Sequence, residues 1–234
     1  MKTLAVILAR GGSKGIPKKN IKIMNGKPLI YWTIKAALNA NIFDEVIVST
    51  DSEEIANIAK ECGAEVPFMR PEELAKDHVF SRDAIKHAVL ECEKIYNKTY
   101  DYVFELPCVS PLRDENHIRE AYEKIVKTNA DSVTAVYKLD GMHPLRIKKI
   151  ENDLIKDYYN EHSEGEGIRR QDLNTCYKRN GSIYSMKRDV IIEQFSRYGK
   201  INRPYIMSDK DSIDIDTELD FQIAEIMLKN KLEK

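Results

Sequence analysis

Twelve consecutive residues, Ala9-Arg10-Gly11-Gly12-Ser13-Lys14-Gly15-Ile16-Pro17-Lys18-Lys19-Asn20, combine three glycines with four cations. Gly11, Gly12 and Gly15 let backbone N–H groups approach an anion closely and permit positive φ. Arg10, Lys14, Lys18 and Lys19 supply a charge density suited to a polyphosphate. No G-K-[ST] closes the run and it is not GxGxxG, so neither common nucleotide fingerprint applies. A solvated basic turn is the plainer alternative. The position directly behind an apolar β-branched run, Leu4–Ala9, favours a phosphate site.

A second group with chemical potential is Ser212-Ile213-Asp214-Ile215-Asp216. The period-2 alternation predicts an extended strand with both carboxylates on one face and the isoleucines on the other. Two converging acids disfavour each other's ionisation unless a cation neutralises them. Mg²⁺ or Mn²⁺, completed by waters and substrate phosphates, would relieve that cost. A solvated acidic edge is the alternative, since Asp209 and Asp211 already make this stretch acidic. The five histidines are scattered without i, i+4 pairs; His87 and His117 fall inside helical patterns and read as structural.

These groups need a scaffold. Apolar runs at Leu4–Ala9, Val46–Ser49, Tyr102–Leu106 and Ser132–Val136 suit strands buried on both faces. Helical stretches lie between them, at about Pro28–Asn39, Ser52–Glu61, Ser81–Tyr96 and Glu115–Thr128, with a last helix near Thr217–Lys231. The alternation predicts an α/β fold with a doubly wound, mainly parallel sheet. Ligands of such sheets sit beyond the carboxyl ends of the strands. The pattern changes between 141 and 179. Arg146–Ile150 and Leu154–Tyr158 flank Glu151-Asn152-Asp153 as a hairpin, followed by the polar Glu161–Gly167. This segment reads as a small insertion for dimerisation or for a lid, within a single domain spanning 1–234. Gly181–Met186 then returns as a strand.

The totals are those of an ordinary globular chain: 234 residues, 37 Lys plus Arg against 38 Asp plus Glu. A near-zero net charge gives no electrostatic reason to expect nucleic acid or a membrane surface as partner. The four cysteines form no CxxC pair, and the N-terminal apolar run is too short for a signal peptide. Reduced thiols in a cytoplasmic protein are expected.

The glycine-rich run resembles the signature of the acylneuraminate cytidylyltransferase family. The resemblance continues through Asn25–Ile30, Val46–Asp51, Arg70–Ala75, Ser110–Arg113, Asn180–Tyr184 and Asp211–Thr217, nearly the whole chain. It implies a Rossmann-like nucleotidyltransferase that joins CMP from CTP to a sialic-acid-like sugar acid, with Mg²⁺ or Mn²⁺, as a homodimer. Arg10, Ser13 and Lys19 match positions that hold the CTP phosphates, with Gly11 and Lys14 beside them. Asn20, Arg70 and Ser81 match positions around cytosine and ribose, although Ser81 on its own would also suit a helix cap. Arg10, Lys19 and Asp216 are the expected catalytic residues, and Asp214 with Asp216 the expected metal ligands. Arg146, Arg170, Asn180 and Tyr184 are the expected sugar contacts; for Tyr184 a core position is an equal alternative. Family members that act on sialate read Q-P-T-S-P-L-R where this chain has Pro107-Cys108-Val109-Ser110-Pro111-Leu112-Arg113. The glutamine that contacts sialate is thus replaced at Pro107, which brings legionaminate-type sugars or another 2-keto sugar acid among the expected acceptors. A cytidylyltransferase for Kdo or a phosphonate, and a non-catalytic nucleotide-binding module, are the competing expectations.

Overall fold

The computed structural model describes residues 1–139, 142–159, 169 and 173–233. In chain order the elements are β1 (Thr3–Leu8), the short pair β2 (Ile23–Met24) and β3 (Lys27–Pro28), α1 (Leu29–Ala40), β4 (Glu45–Ser49) and α2 (Glu53–Glu61). There follow α3 (Ser81–Tyr96), β5 (Tyr102–Glu105), α4 (Glu115–Thr128), β6 (Ser132–Lys138), β7 (Lys148–Glu151) and β8 (Leu154–Asp157). The chain continues with β9 (Tyr177–Lys187), α5 (Arg188–Ile192), β10 (Asn202–Met207) and α6 (Glu218–Leu232).

Six strands form the main sheet in the order β10-β6-β9-β5-β1-β4. β1 runs parallel to β4 and β5, and β6 parallel to β10. β9 is inserted antiparallel between β5 and β6. The expected doubly wound, mainly parallel α/β sheet is therefore observed, with one reversed strand at its middle. Alternation along β1 assigns the two layers. Ala5 and Ile7 pack with residues of α1, α2 and α4 on one face, and Leu4 and Val6 with residues of α3 and α5 on the other. Burial on both sides explains why β1 and β4 read as unbroken apolar runs.

Local chemistry fixes several boundaries. Ser52 caps α2 by accepting from the Ile55 N–H, and Asp114 and Thr217 each form a reciprocal capping box that starts α4 and α6. The expected hairpin is present as β7 and β8, turning on Asn152 and Asp153 with φ of 52° and 63°. Two successive left-handed residues are what a tight two-residue hairpin turn requires. The remainder of the 141–179 insertion lies partly outside the described residues. Two expectations need correction. β10 lies outside the strands expected from the sequence. Residues 212–216 are extended but join no ladder: the Ile215 N–H donates to the Val109 carbonyl at 3.0 Å, and the Ser212 N–H closes a local turn on the Asp209 carbonyl at 3.1 Å. Ile215 instead packs with Ile16, Leu29, Leu112 and three α6 residues in a third apolar cluster, which welds this segment to the glycine-rich loop. Among the described residues no helix is long and apolar enough to cross a membrane.

Candidate active site

From β1 the chain crosses through α1 to β4 on one side, and later reaches β5 on the other side of β1. The loops leaving β1 and β5 therefore diverge and open a crevice at their carboxyl ends. A cleft of about 420 Å³ occupies that position. Arg10, Ser13, Lys14, Gly15, Lys19, Asn20, Arg70, Ser81 and Asp216 all line it. A larger hollow of about 660 Å³, bounded by α4, β10 and α6, contains none of the expected site residues. Its His117 completes the α4 capping box with Asp114, the structural role expected for it.

The cationic loop is held open by specific contacts. Gly11 donates its N–H to the Asp51 carboxylate at 2.9 Å, which anchors the loop to the end of β4. Asn20 is buried and donates to the Arg10 carbonyl at 3.0 Å, closing the loop on itself. Lys19 extends its ammonium to the Ile215 carbonyl at 2.5 Å and lies 4.0 Å from Asp216. Arg70 is buried and binds Ser49 through Nε at 3.0 Å and through Nη2. Burial pushes its pKa down to about 10, opposed by Asp51, so it remains cationic at neutral pH. Arg10 and Lys14 both contact Asp77, at 2.8 and 2.7 Å. Lys18 departs from the expected group: its φ of 51° turns it away to Glu54 on α2, at 2.6 Å. Three of the four loop cations thus face the cleft.

Two close approaches position the acids, Asp216 against this loop and Asp214 against β9. A side chain at Gly15 would place its Cβ 2.6 Å from the Asp216 carbonyl, so only glycine lets the loop lie against the 212–216 segment. Gly181, at φ +66°, lies beneath Asp214, where a Cβ would stand 3.0 Å from the carboxylate. Ser212 secures the segment, donating to the Ser208 carbonyl at 2.6 Å and accepting from Asn180 at 2.9 Å. The Asp214 pKa is pushed up to about 6, first by burial and then by the neighbouring Asp216 charge. A pair that resists double ionisation in this way is suited to a cation. The described residues contain no group of three or more His, Cys, Asp or Glu placed to hold a metal. The donor set is two carboxylates, which suits an ion that takes its other ligands from water and phosphate.

The sugar-side expectations are less unified. Asn180 is fully buried and committed to Ser212, so it supports the acidic segment from behind rather than lining the cleft. Tyr184 is buried in the β9 face beneath the Arg197 guanidinium, 4.4 Å from the ring centre. Arg146 ends a short helical turn before β7 and is not part of the cleft lining. Arg170 lies outside the described residues. Ser81 is the first residue of α3 rather than its cap, which is Phe80, so its hydroxyl is not committed to capping. Two residues of the site escaped sequence reasoning. Asp77 reads as a loop acid. Glu105, on the cleft floor, is a buried carboxylate paired with Arg197 at 2.8 Å. The signal available for Glu105 was a charge inside an apolar strand run, a position where unpaired carboxylates are rarely found.

A family model described as cytidylyltransferase matches residues 4–227. The chain is 34% identical over 229 residues to a pseudaminic acid cytidylyltransferase of Campylobacter jejuni, covering 98% of this chain and 97% of that protein. It is 37% identical to a CMP-N,N'-diacetyllegionaminic acid synthase of Legionella pneumophila, covering 98% and 97%. Its fold resembles that of a CMP:2-keto-3-deoxy-manno-octonic acid synthetase solved with CTP, at a TM-score of 0.72 and 17% identity, covering 99% of this chain and 100% of that one.

Proposed function

The chain belongs to the cytidylyltransferase family, and from that premise we propose that it transfers CMP from CTP to the anomeric hydroxyl of a nonulosonic, sialic-acid-like sugar acid, releasing pyrophosphate. The observation that carries the reading is one cleft, at the β1/β5 crevice, that collects Arg10, Ser13, Lys14 and Lys19 beside Asp216. Transfer of this kind depends on positioning and charge neutralisation rather than on covalent catalysis. The loop cations hold the triphosphate and stabilise the departing pyrophosphate. Asn20, Arg70 and Ser81 surround cytosine and ribose. Asp216 orients the attacking hydroxyl and helps to remove its proton. Asp214 and Asp216 are the residues that would hold Mg²⁺ or Mn²⁺, and such an ion would neutralise phosphate charge. The acceptor belongs with the pseudaminate and legionaminate sugars on which the similar enzymes act. We place the dimer contact on the β7–β8 hairpin.

The test is pyrophosphate release from CTP against a panel of pseudaminate, legionaminate, N-acetylneuraminate, Kdo and a phosphonate. The expected result is turnover with a nonulosonate, abolished by chelator and reduced by at least a hundredfold in Asp216→Asn, with CTP affinity changed far less. CTP binding without pyrophosphate release for any acceptor would sink the reading in favour of a non-catalytic module. Wild-type turnover in Asp216→Asn would remove the role given to that acid.

A further inference from the structure

The two loop cations that face the cleft most openly are both engaged by one carboxylate. Asp77 places Oδ1 2.8 Å from the Arg10 guanidinium and Oδ2 2.7 Å from the Lys14 ammonium. The same wall contributes the Ala75 carbonyl, 3.4 Å from Arg10 Nη1. Leu74, Lys76, Val79 and Phe80 continue that wall along the cleft. Asp77 is half exposed, as are its partners to differing degrees, so the contacts can exchange with solvent or with another anion at little cost. Lys14 first, and Arg10 with it, holds the Asp77 carboxyl below its ordinary range, so it is an anion at neutral pH.

We propose that Asp77 is an internal stand-in for phosphate: it occupies Arg10 and Lys14 in the nucleotide-free protein, is displaced by the triphosphate, and recaptures the two cations as pyrophosphate departs. This inference rests on the reading of Arg10 and Lys14 as phosphate ligands. Its physical basis is competition. A carboxylate and a phosphate oxygen make the same charge-assisted bond to guanidinium or ammonium. An anion fixed beside the phosphate site also repels an arriving polyanion. Both effects weaken CTP and pyrophosphate together, and both favour product release.

The isosteric Asp77→Asn keeps the side-chain volume and removes the charge. Pyrophosphate binding, measured by calorimetry at fixed excess Mg²⁺, should tighten roughly threefold to tenfold, and the KM for CTP should fall in parallel. The gain should shrink as salt rises from about 50 to 500 mM, since these exposed charges are screened. In an Arg10→Ala background the same substitution should gain less, because one of its two partners is gone. Thermal melting of each variant establishes that the compared proteins are folded. Unchanged or weaker pyrophosphate binding in Asp77→Asn would overturn the inference. Arg10→Ala separates the two levels: if it leaves pyrophosphate binding intact, the phosphate reading itself fails. If it weakens binding while Asp77→Asn does not tighten it, the stand-in role alone is lost.

Discussion

Asp214 carries a proton balance that its neighbours set. Its pKa is pushed up to about 6 by burial and by Asp216, whereas an aspartate in an unfolded chain titrates near 3.9. The folded protein therefore binds this proton more tightly than the unfolded chain. The resulting penalty on folding is fully present above about pH 6 and is relieved as pH falls from there toward 4. Asp214→Asn should accordingly raise the metal-free melting temperature near pH 7.5, by an amount worth roughly 1 kcal/mol after screening at this partly open site, and much less near pH 4. Melting curves across that range check it; an equal shift at both pH values would show that the charge is not the cause. At the same scale, the sequence exposed the cationic loop because glycines and charges coincide behind a strand. Local pattern could not separate Lys18 from its neighbours, because a single left-handed residue directs it to Glu54. Nor could it mark Asp77, whose partners are more than sixty positions away in the chain.

At the scale of elements, α3 and α4 begin and end where their periodicity predicts. β10 was hidden by its own composition. Asn202, Arg203 and Pro204 are exposed, and as an edge strand it shows apolar burial only at Tyr205 and Met207. The 212–216 segment has strand-like alternation but packs by Ile215 against the glycine-rich loop, so tertiary contact rather than a ladder keeps it extended. The β7–β8 hairpin was legible from its turn, and its surface carries a prediction. Ile150 and Ile155 are 77% and 75% exposed, and Leu154 is 60% exposed. An isolated hairpin is marginal in water and a cluster of exposed aliphatics is an association surface. Sedimentation at micromolar concentration should show a homodimer that Ile150→Lys with Ile155→Lys converts to monomer while far-UV dichroism is unchanged. A wild-type monomer, or a dimer indifferent to both lysines, would refute the assignment.

For the molecule as a whole, the cleft gathers residues from Leu8 to Asp216, so a ligand there ties distant parts of the chain together. CTP with Mg²⁺ at about a hundred times its Kd should stabilise the fold by about 2.7 kcal/mol. For a chain of this length that corresponds to a rise in Tm of roughly 5–10 °C. UTP at equal concentration should give a smaller rise if the site reads the base. The reversed strand β9 has a consequence for how the protein is made. It alone joins the β4-β1-β5 half of the sheet to the β6-β10 half, and it comes from residues 177–187. On the ribosome, β5 and β6 both emerge long before the strand that will pair with them, each offering a bare hydrogen-bonding edge. Those edges remain open until about three quarters of the chain has been synthesised. A nascent chain stalled before Tyr177 would therefore hold one unsealed half-sheet, β4-β1-β5, and a lone β6 whose partners β9 and β10 are both still to come, the state in which it is most exposed to chaperones, to proteases and to its own neighbours on a polysome.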